Sequence, residues 1–152
     1  MTRRGALTDI LRALALLFAG TRPLSAAEDG RIRFSELYGS SGPLGLEFSE
    51  EARRRRGRTV LMRGFLAPPL KAEAPFFVLT AQPVSLCPFC QSDADWPQDI
   101  VVVYPRSGAR IDYRSSGDPV EVAGVLELGS RLDPDTGFVS QVRLVQATLR
   151  RI

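Results

Sequence analysis

The chain has 152 residues, 20 basic and 17 acidic side chains, 2 cysteines and no histidine. That length holds no more than one ordinary domain. Without histidine the chain lacks the commonest metal ligand and the commonest general base at neutral pH.

Residues 1–27 read as a cleavable export leader. Arg3, Arg4 and Arg12 form a positive start, residues 13–20 form an uncharged apolar run, Pro23 breaks it, and Ser25-Ala26-Ala27 supplies small residues for cleavage after Ala27. The competing reading is an amphipathic surface helix. A membrane anchor is disfavoured because spanning takes about 20 apolar residues. The two cysteines stand far downstream of the run, so no lipid is expected there, and the mature form is expected to be soluble in the periplasm with no membrane anchor. Removing the leader takes away Arg3, Arg4, Arg12, Arg22 and Asp9, which leaves as many acids as bases. No general basic footprint for nucleic acid then remains, and no nucleic-acid partner is expected.

Residues 28–57 read as an N-terminal segment with a short helix. Arg31 to Tyr38 is a short element, helix or strand, and Gly39 to Pro43 a flexible stretch. Ser49 is a plausible N-cap for a helix over Glu50 to Arg56, with Gly57 as its stop. Acids at its start and arginines at its end suit the macrodipole. The arginine run therefore reads as a solvated helix end, with a patch for anionic lipid or an acidic partner as the alternative.

From Arg58 to the C-terminus (58–152) the pattern changes to strands. Thr59–Leu66, Phe76–Thr80, Ile100–Tyr104, Val120–Leu128 and Phe138 to about Leu149 are β-branched or aromatic runs separated by turn residues. In the fourth run Val120, Val122, Gly124, Leu126 and Leu128 share one face, with Glu121 and Glu127 on the other. Ile100 to Tyr104 is apolar on both faces and should be central. Gly64 and Gly124 sit inside strands, where glycine permits the bulge or coil that closes a small barrel. The expected fold is mainly β, a small five-stranded OB-like antiparallel barrel with a short N-terminal helix. Val142, Val145 and Leu149 also suit a helical face, so the last run is strand or terminal helix.

The one constellation with chemical character is Cys87-Pro88-Phe89-Cys90, in the long connection 81–99. Loops of this length inside a compact domain are usually functional or tied down. A structural disulfide suits an exported protein, although so short a loop removes little chain entropy. A metal site has two strong ligands but would need others, from Asp93, Asp95, Asp99 or a second copy, with zinc or copper(I) as the ion. Thiol–disulfide exchange fits the proline-containing spacing but lacks the surrounding strand–helix unit of thioredoxins. Asp133 to Gly137 is a hairpin turn rather than a calcium loop, because the distant Glu is missing. Trp96 reads as a core plug more than a stacking platform. No phosphate loop, nucleophile elbow or catalytic acid pair is present.

In order, residues 58–69, Phe76 to Leu79, the Cys87–Cys90 loop, Ile100 to Tyr104 and Val120 to Gly124 resemble a family of small bacterial periplasmic or lipoprotein-like proteins that is still a domain of unknown function. Its members are often encoded beside a permease and ATPase like those of macrolide exporters, in clusters linked to metal supply, zinc above all. The resemblance implies an accessory protein of an envelope transport system, with an ABC transporter permease or another envelope protein as partner. Only Cys87 and Cys90 carry over as functional positions. The expectation is thus an exported, non-enzymatic binding module. The alternatives are a periplasmic thiol–disulfide oxidoreductase, or a structural disulfide in a protein-interaction module.

Overall fold

The structure is a computed structural model that describes residues 30–42, 45–69, 74–85, 96–107, 111–113 and 116–152. The leader expected over 1–27 lies outside them. Among the described residues no helix is long and apolar enough to cross a membrane.

After a single bridge from Arg31 to Leu61, the segment expected as helix or strand forms a 3-10 turn, Phe34–Glu36. It leads into strand β1 (Tyr38–Gly42), which pairs antiparallel with β2 (Gly45–Phe48). The stretch expected to be flexible is therefore half of a hairpin. Local glycine and serine content weakens a strand, but the pairing of β1 with β2 and the stacking of Tyr38 on Phe48 at 5.6 Å override that bias. Helix α1 (Glu50–Arg55) starts where the sequence indicates: the Ser49 hydroxyl accepts from the Ala52 amide at 3.0 Å. Gly57 follows the helix at φ 77°, a left-handed stop that suits glycine. The arginines of α1 are largely paired, Arg53 with Glu47 and Glu50, and both Arg54 and Arg55 with Glu51. That arrangement is the solvated helix face anticipated for them.

The remaining strands are β3 (Thr59–Leu66), β4 (Phe77–Thr80), β5 (Ile100–Pro105), β6 (Pro119–Leu132) and β7 (Val139–Arg151). They pair in the order β3-β4-β5-β7-β6 and close back onto β3 as a barrel. The expectation of an antiparallel sheet needs correction. β5 and β7 run parallel, so the sheet is mixed. A parallel contact requires a crossover between its strands, and here the chain from 106 through β6 supplies it.

The interior follows the alternation of the strands. Val60, Met62 and Leu66 from β3, Val122 and Leu126 from β6, and Val142 and Leu144 from β7 are all nearly or fully buried. Each such side chain contributes about 1.5–3 kcal/mol of burial free energy. The last run is strand throughout. Between Ala123–Val125 of β6 and their partners on β7 one extra residue intervenes, and Gln146 takes φ 52° there. This bulge bends β7 around the barrel.

Glu121, expected on the outer face of β6, lies outside the barrel yet is only 5% exposed. Arg31, Arg63 and Arg150 converge on its carboxylate, Arg63 at 2.8 Å and Arg31 at 3.5 Å. Hydrogen bonds from Arg150 and Arg63 hold its pKa down at about 2, against an ordinary 4.5. A depressed folded-state pKa means that the unfolded chain takes up the proton first. The contribution of Glu121 is therefore complete above about pH 4.5 and is lost as pH falls toward 2. Urea midpoints measured from pH 6 down to about pH 2 should fall less steeply in Glu121→Gln than in the parent. Parallel slopes would mean that the cluster carries no pH dependence.

Candidate functional site

The connection 81–99 leaves β4 at Thr80 and re-enters the sheet at Ile100, so both of its ends are anchored by adjacent antiparallel strands. Its neck is closed by the Ala81 amide, which donates to the Asp99 carbonyl at 2.9 Å. The Thr80 hydroxyl lies 2.7 Å from the Gln82 carbonyl and 3.2 Å from the Phe65 carbonyl, its one proton shared between two acceptors.

Four of the five candidate ligands, Cys87, Cys90, Asp93 and Asp95, lie outside the described residues. Asp99 is exposed, and its backbone carbonyl accepts the neck hydrogen bond. Among the described residues no group of three or more metal-ligating side chains converges.

Just before the neck, Trp96 ties the connection to two parts of the molecule. The indole Nε1 donates to the Tyr38 hydroxyl at 2.6 Å, and the ring sits 6.3 Å from Phe138 at 51°. Burial pushes the Tyr38 phenol up to about 12, with the Trp96 hydrogen bond acting in the opposite direction. Trp96 packs against both the barrel core and a second apolar cluster. It is half-buried, a plug between two clusters as its sequence context indicates.

That second cluster covers the outer face of β4 and β5. Ala67, Phe76, Val78, Ile100 and Val102 are buried there. This explains why β5 is apolar on both sides: Val101 and Val103 face the barrel interior while Ile100 and Val102 face the outer cluster. Phe76 lies 5.4 Å from Tyr104 and 5.5 Å from Phe138, tilted to both, within the usual range for aromatic pairs. The Arg131 guanidinium lies over the Tyr104 ring at 5.2 Å.

A polar anchor completes this face. The buried Asp133 carboxylate accepts from the Thr136 amide at 2.9 Å, the Thr136 hydroxyl at 2.7 Å and the Tyr104 hydroxyl at 3.0 Å. Burial opposes its charge, but these hydrogen bonds prevail and hold its pKa below the ordinary value. Burial, then Asp133, push the Tyr104 phenol up to about 12. The turn expected at Asp133 to Gly137 is present, with the Gly137 amide donating to the Asp133 carbonyl at 2.9 Å. Sequence reasoning did not join Tyr104, Arg131, Asp133 and Phe138 into one face. The only local signal was Asp133 at the head of a turn, since the partners stand on different strands.

The arrangement can present a connection of fixed base on a rigid sheet. No described group is placed as a nucleophile with an adjacent base, and the shifted phenols are raised rather than lowered, which holds them protonated.

No family model matches the sequence, and no curated protein matches it. Among solved structures, the chain is similar to the crystal structure of a DUF3299 family protein from Pseudomonas aeruginosa PAO1. The two share 14% identity at a TM-score of 0.51 over 80% of this chain and 95% of that one. At that identity the likeness shows a common fold: the barrel described here is also the fold of a protein from a family whose domain has no assigned function.

Proposed function

We propose that this chain is an exported, non-enzymatic accessory module of a bacterial envelope transport system, which binds a metal ion or a transporter subunit through Cys87 and Cys90. The reading takes the barrel as OB-like. The strand order β3-β4-β5-β7-β6, closed and with one parallel contact, supports that assignment. OB barrels commonly bind through the face of their second and third strands, together with the loops that join the first strand to the second and the fourth to the fifth. Here those strands are β4 and β5, and 81–99 is the loop between them.

One observation carries the reading. The cysteine-bearing connection is fastened near its exit by Trp96 and at its base by the Ala81–Asp99 hydrogen bond. A loop held at its base by a rigid sheet is where binding groups are usually displayed. Zinc or copper(I) suits the thiolates, with Asp93, Asp95 or Asp99 as auxiliary ligands.

Counting free thiols and bound metal on protein isolated from a periplasmic fraction tests this reading. Two free thiols with stoichiometric metal are expected. A readily reduced disulfide with a relatively oxidising potential would favour thiol exchange instead. A glutathione-resistant disulfide with no metal would leave a structural bridge. Recovery of the protein only from the cytosol, with residues 1–27 intact, would overturn the export step.

A further inference from the structure

Glu121 has more positive charge around it than its burial requires. On the outer face of the barrel Arg63, Glu121 and Arg150 stand in one row across β3, β6 and β7, with Arg63 opposite Glu121 and Glu121 opposite Arg150. Arg31 reaches the same carboxylate from the segment before the 3-10 turn. Its backbone is stapled beside β3: the Ile32 amide donates to the Leu61 carbonyl at 3.0 Å, and the Leu61 amide donates to the Gly30 carbonyl at 2.8 Å. One arginine neutralises one carboxylate, so the other two guanidinium groups leave an excess of two positive charges. No other acidic side chain pairs with any of the three among the described residues.

Like charges gathered on one carboxylate repel each other, and an anion held among them relieves that repulsion. Donors for it are available. Arg63 gives only Nε to Glu121, and Arg31 and Arg150 give one Nη each, so their other N–H groups have no partner among the described residues. The Arg31, Arg63 and Arg150 side chains are 41%, 50% and 69% exposed, whereas the carboxylate beneath them is 5% exposed. An incoming anion therefore meets guanidinium edges and not Glu121. The planar fork of arginine matches phosphate oxygens. A phosphomonoester carries about two negative charges near neutral pH, which equals the excess. A phosphodiester or a carboxylate carries one and leaves the cluster charged.

We propose that Arg31, Arg63 and Arg150 form a binding site for a phosphomonoester dianion on the outer face of β3, β6 and β7. Glu121 acts from beneath, holding the three guanidinium groups together. The site uses neither Cys87 nor Cys90, so its failure would leave the reading of that loop standing.

Glycerol 3-phosphate is the soluble probe, titrated into the purified protein at low ionic strength and followed by calorimetry. Saturable binding of one anion per chain is expected, with dimethyl phosphate, a diester of one charge, at least about tenfold weaker. Arg31→Gln should weaken glycerol 3-phosphate about tenfold and leave the melting temperature unchanged, because Arg63 and Arg150 still cover Glu121. Arg53→Gln removes an exposed charge from α1 and should change the affinity less than about twofold. Vesicles identify the carrier of the phosphate. With a lipid carrier, phosphatidylcholine vesicles doped with phosphatidate retain the protein, and those doped with phosphatidylglycerol to equal surface charge do not. With a soluble carrier, both kinds of vesicle stay bare while glycerol 3-phosphate binds. Three outcomes would overturn the proposal: equal binding of dimethyl phosphate, equal losses in Arg31→Gln and Arg53→Gln, or no saturable binding of either glycerol 3-phosphate or phosphatidate vesicles.

Discussion

Gly64→Ala destabilises the protein by about 3 kcal/mol, at the upper end of overpacking costs, although the added group is a single methyl. Gly64 is in the middle of β3, where its neighbour across the sheet is Val120. A Cβ placed there would stand 2.5 Å from the Thr80 carbonyl oxygen, 3.0 Å from Leu79 Cγ and 3.1 Å from Phe34 Cε2. The nearest obstacle is backbone, which cannot turn aside as a side chain can. It belongs to β4, and β4 meets β3 through only Phe65–Thr80 and Leu66–Leu79. Relief would have to open that short seam. Gly124→Ala supplies the comparison. Its Cβ would meet Ala147 Cβ, Leu144 Cβ and the Val145 carbonyl, each at 3.1 Å, beside a bulge that can yield. A cost of about 1–2 kcal/mol is expected there. Chemical denaturation of the two variants measures the difference, and equal midpoints would contradict the steric account.

Arg143→Ala is expected to cost about 2–4 kcal/mol, because it strips partners from buried groups rather than merely deleting a charge. Arg143 is 4% exposed. Its Nη1 donates to the carbonyls of Gly129 and Ser140, both at 2.8 Å, and its Nε donates to Glu127 at 3.2 Å. The Gly129 carbonyl belongs to the second irregularity of the β6–β7 pair, between Leu128 and Arg131, where Gly129 takes φ 106°. The guanidinium thus closes the hydrogen bonds that the bulge opens. Lysine at this position should recover only part of the loss, because a point charge cannot reach all three acceptors in the plane that the fork spans. Urea midpoints for Arg143→Ala and Arg143→Lys check both statements. Parent-like stability in Arg143→Ala would mean that water replaces the guanidinium at no cost.

Strand positions were legible because alternation is a local property. Val120, Val122, Leu126 and Leu128 face the core as their spacing indicates. Ser49 and Gly57 marked the ends of α1 through chemistry confined to one turn. Three features depended on distant partners and could not be read. Glu121 alternates correctly to the outside, yet arginines from three separate segments cover it. The parallel contact of β5 with β7 leaves no trace in either strand's own pattern. The ambiguity of the last run has a specific cause in the bulge at Gln146. On β7 the buried apolar positions are Val142 and Leu144, and then, after one extra residue, Ala147, with Leu149 half-buried. That skipped step puts Val142 and Leu149, seven residues apart, on the core side together, which is the spacing of two helical turns inside a strand.

For the candidate site, the sequence identified the cysteines and the tryptophan, and the structure supplies the setting of the latter. Trp96 is the single tryptophan of the chain, and it sits at the exit of the cysteine-bearing connection. Its emission therefore reports on whatever binds there. The most direct measurement is a titration of the fully reduced protein with zinc, and separately with copper(I), followed by tryptophan fluorescence and by metal retained after gel filtration. A saturable change at one ion per chain or per pair of chains, absent in the Cys87→Ser, Cys90→Ser double variant, is the predicted result. Unchanged emission with no retained ion, or the same uptake without the cysteines, would contradict a metal-binding loop.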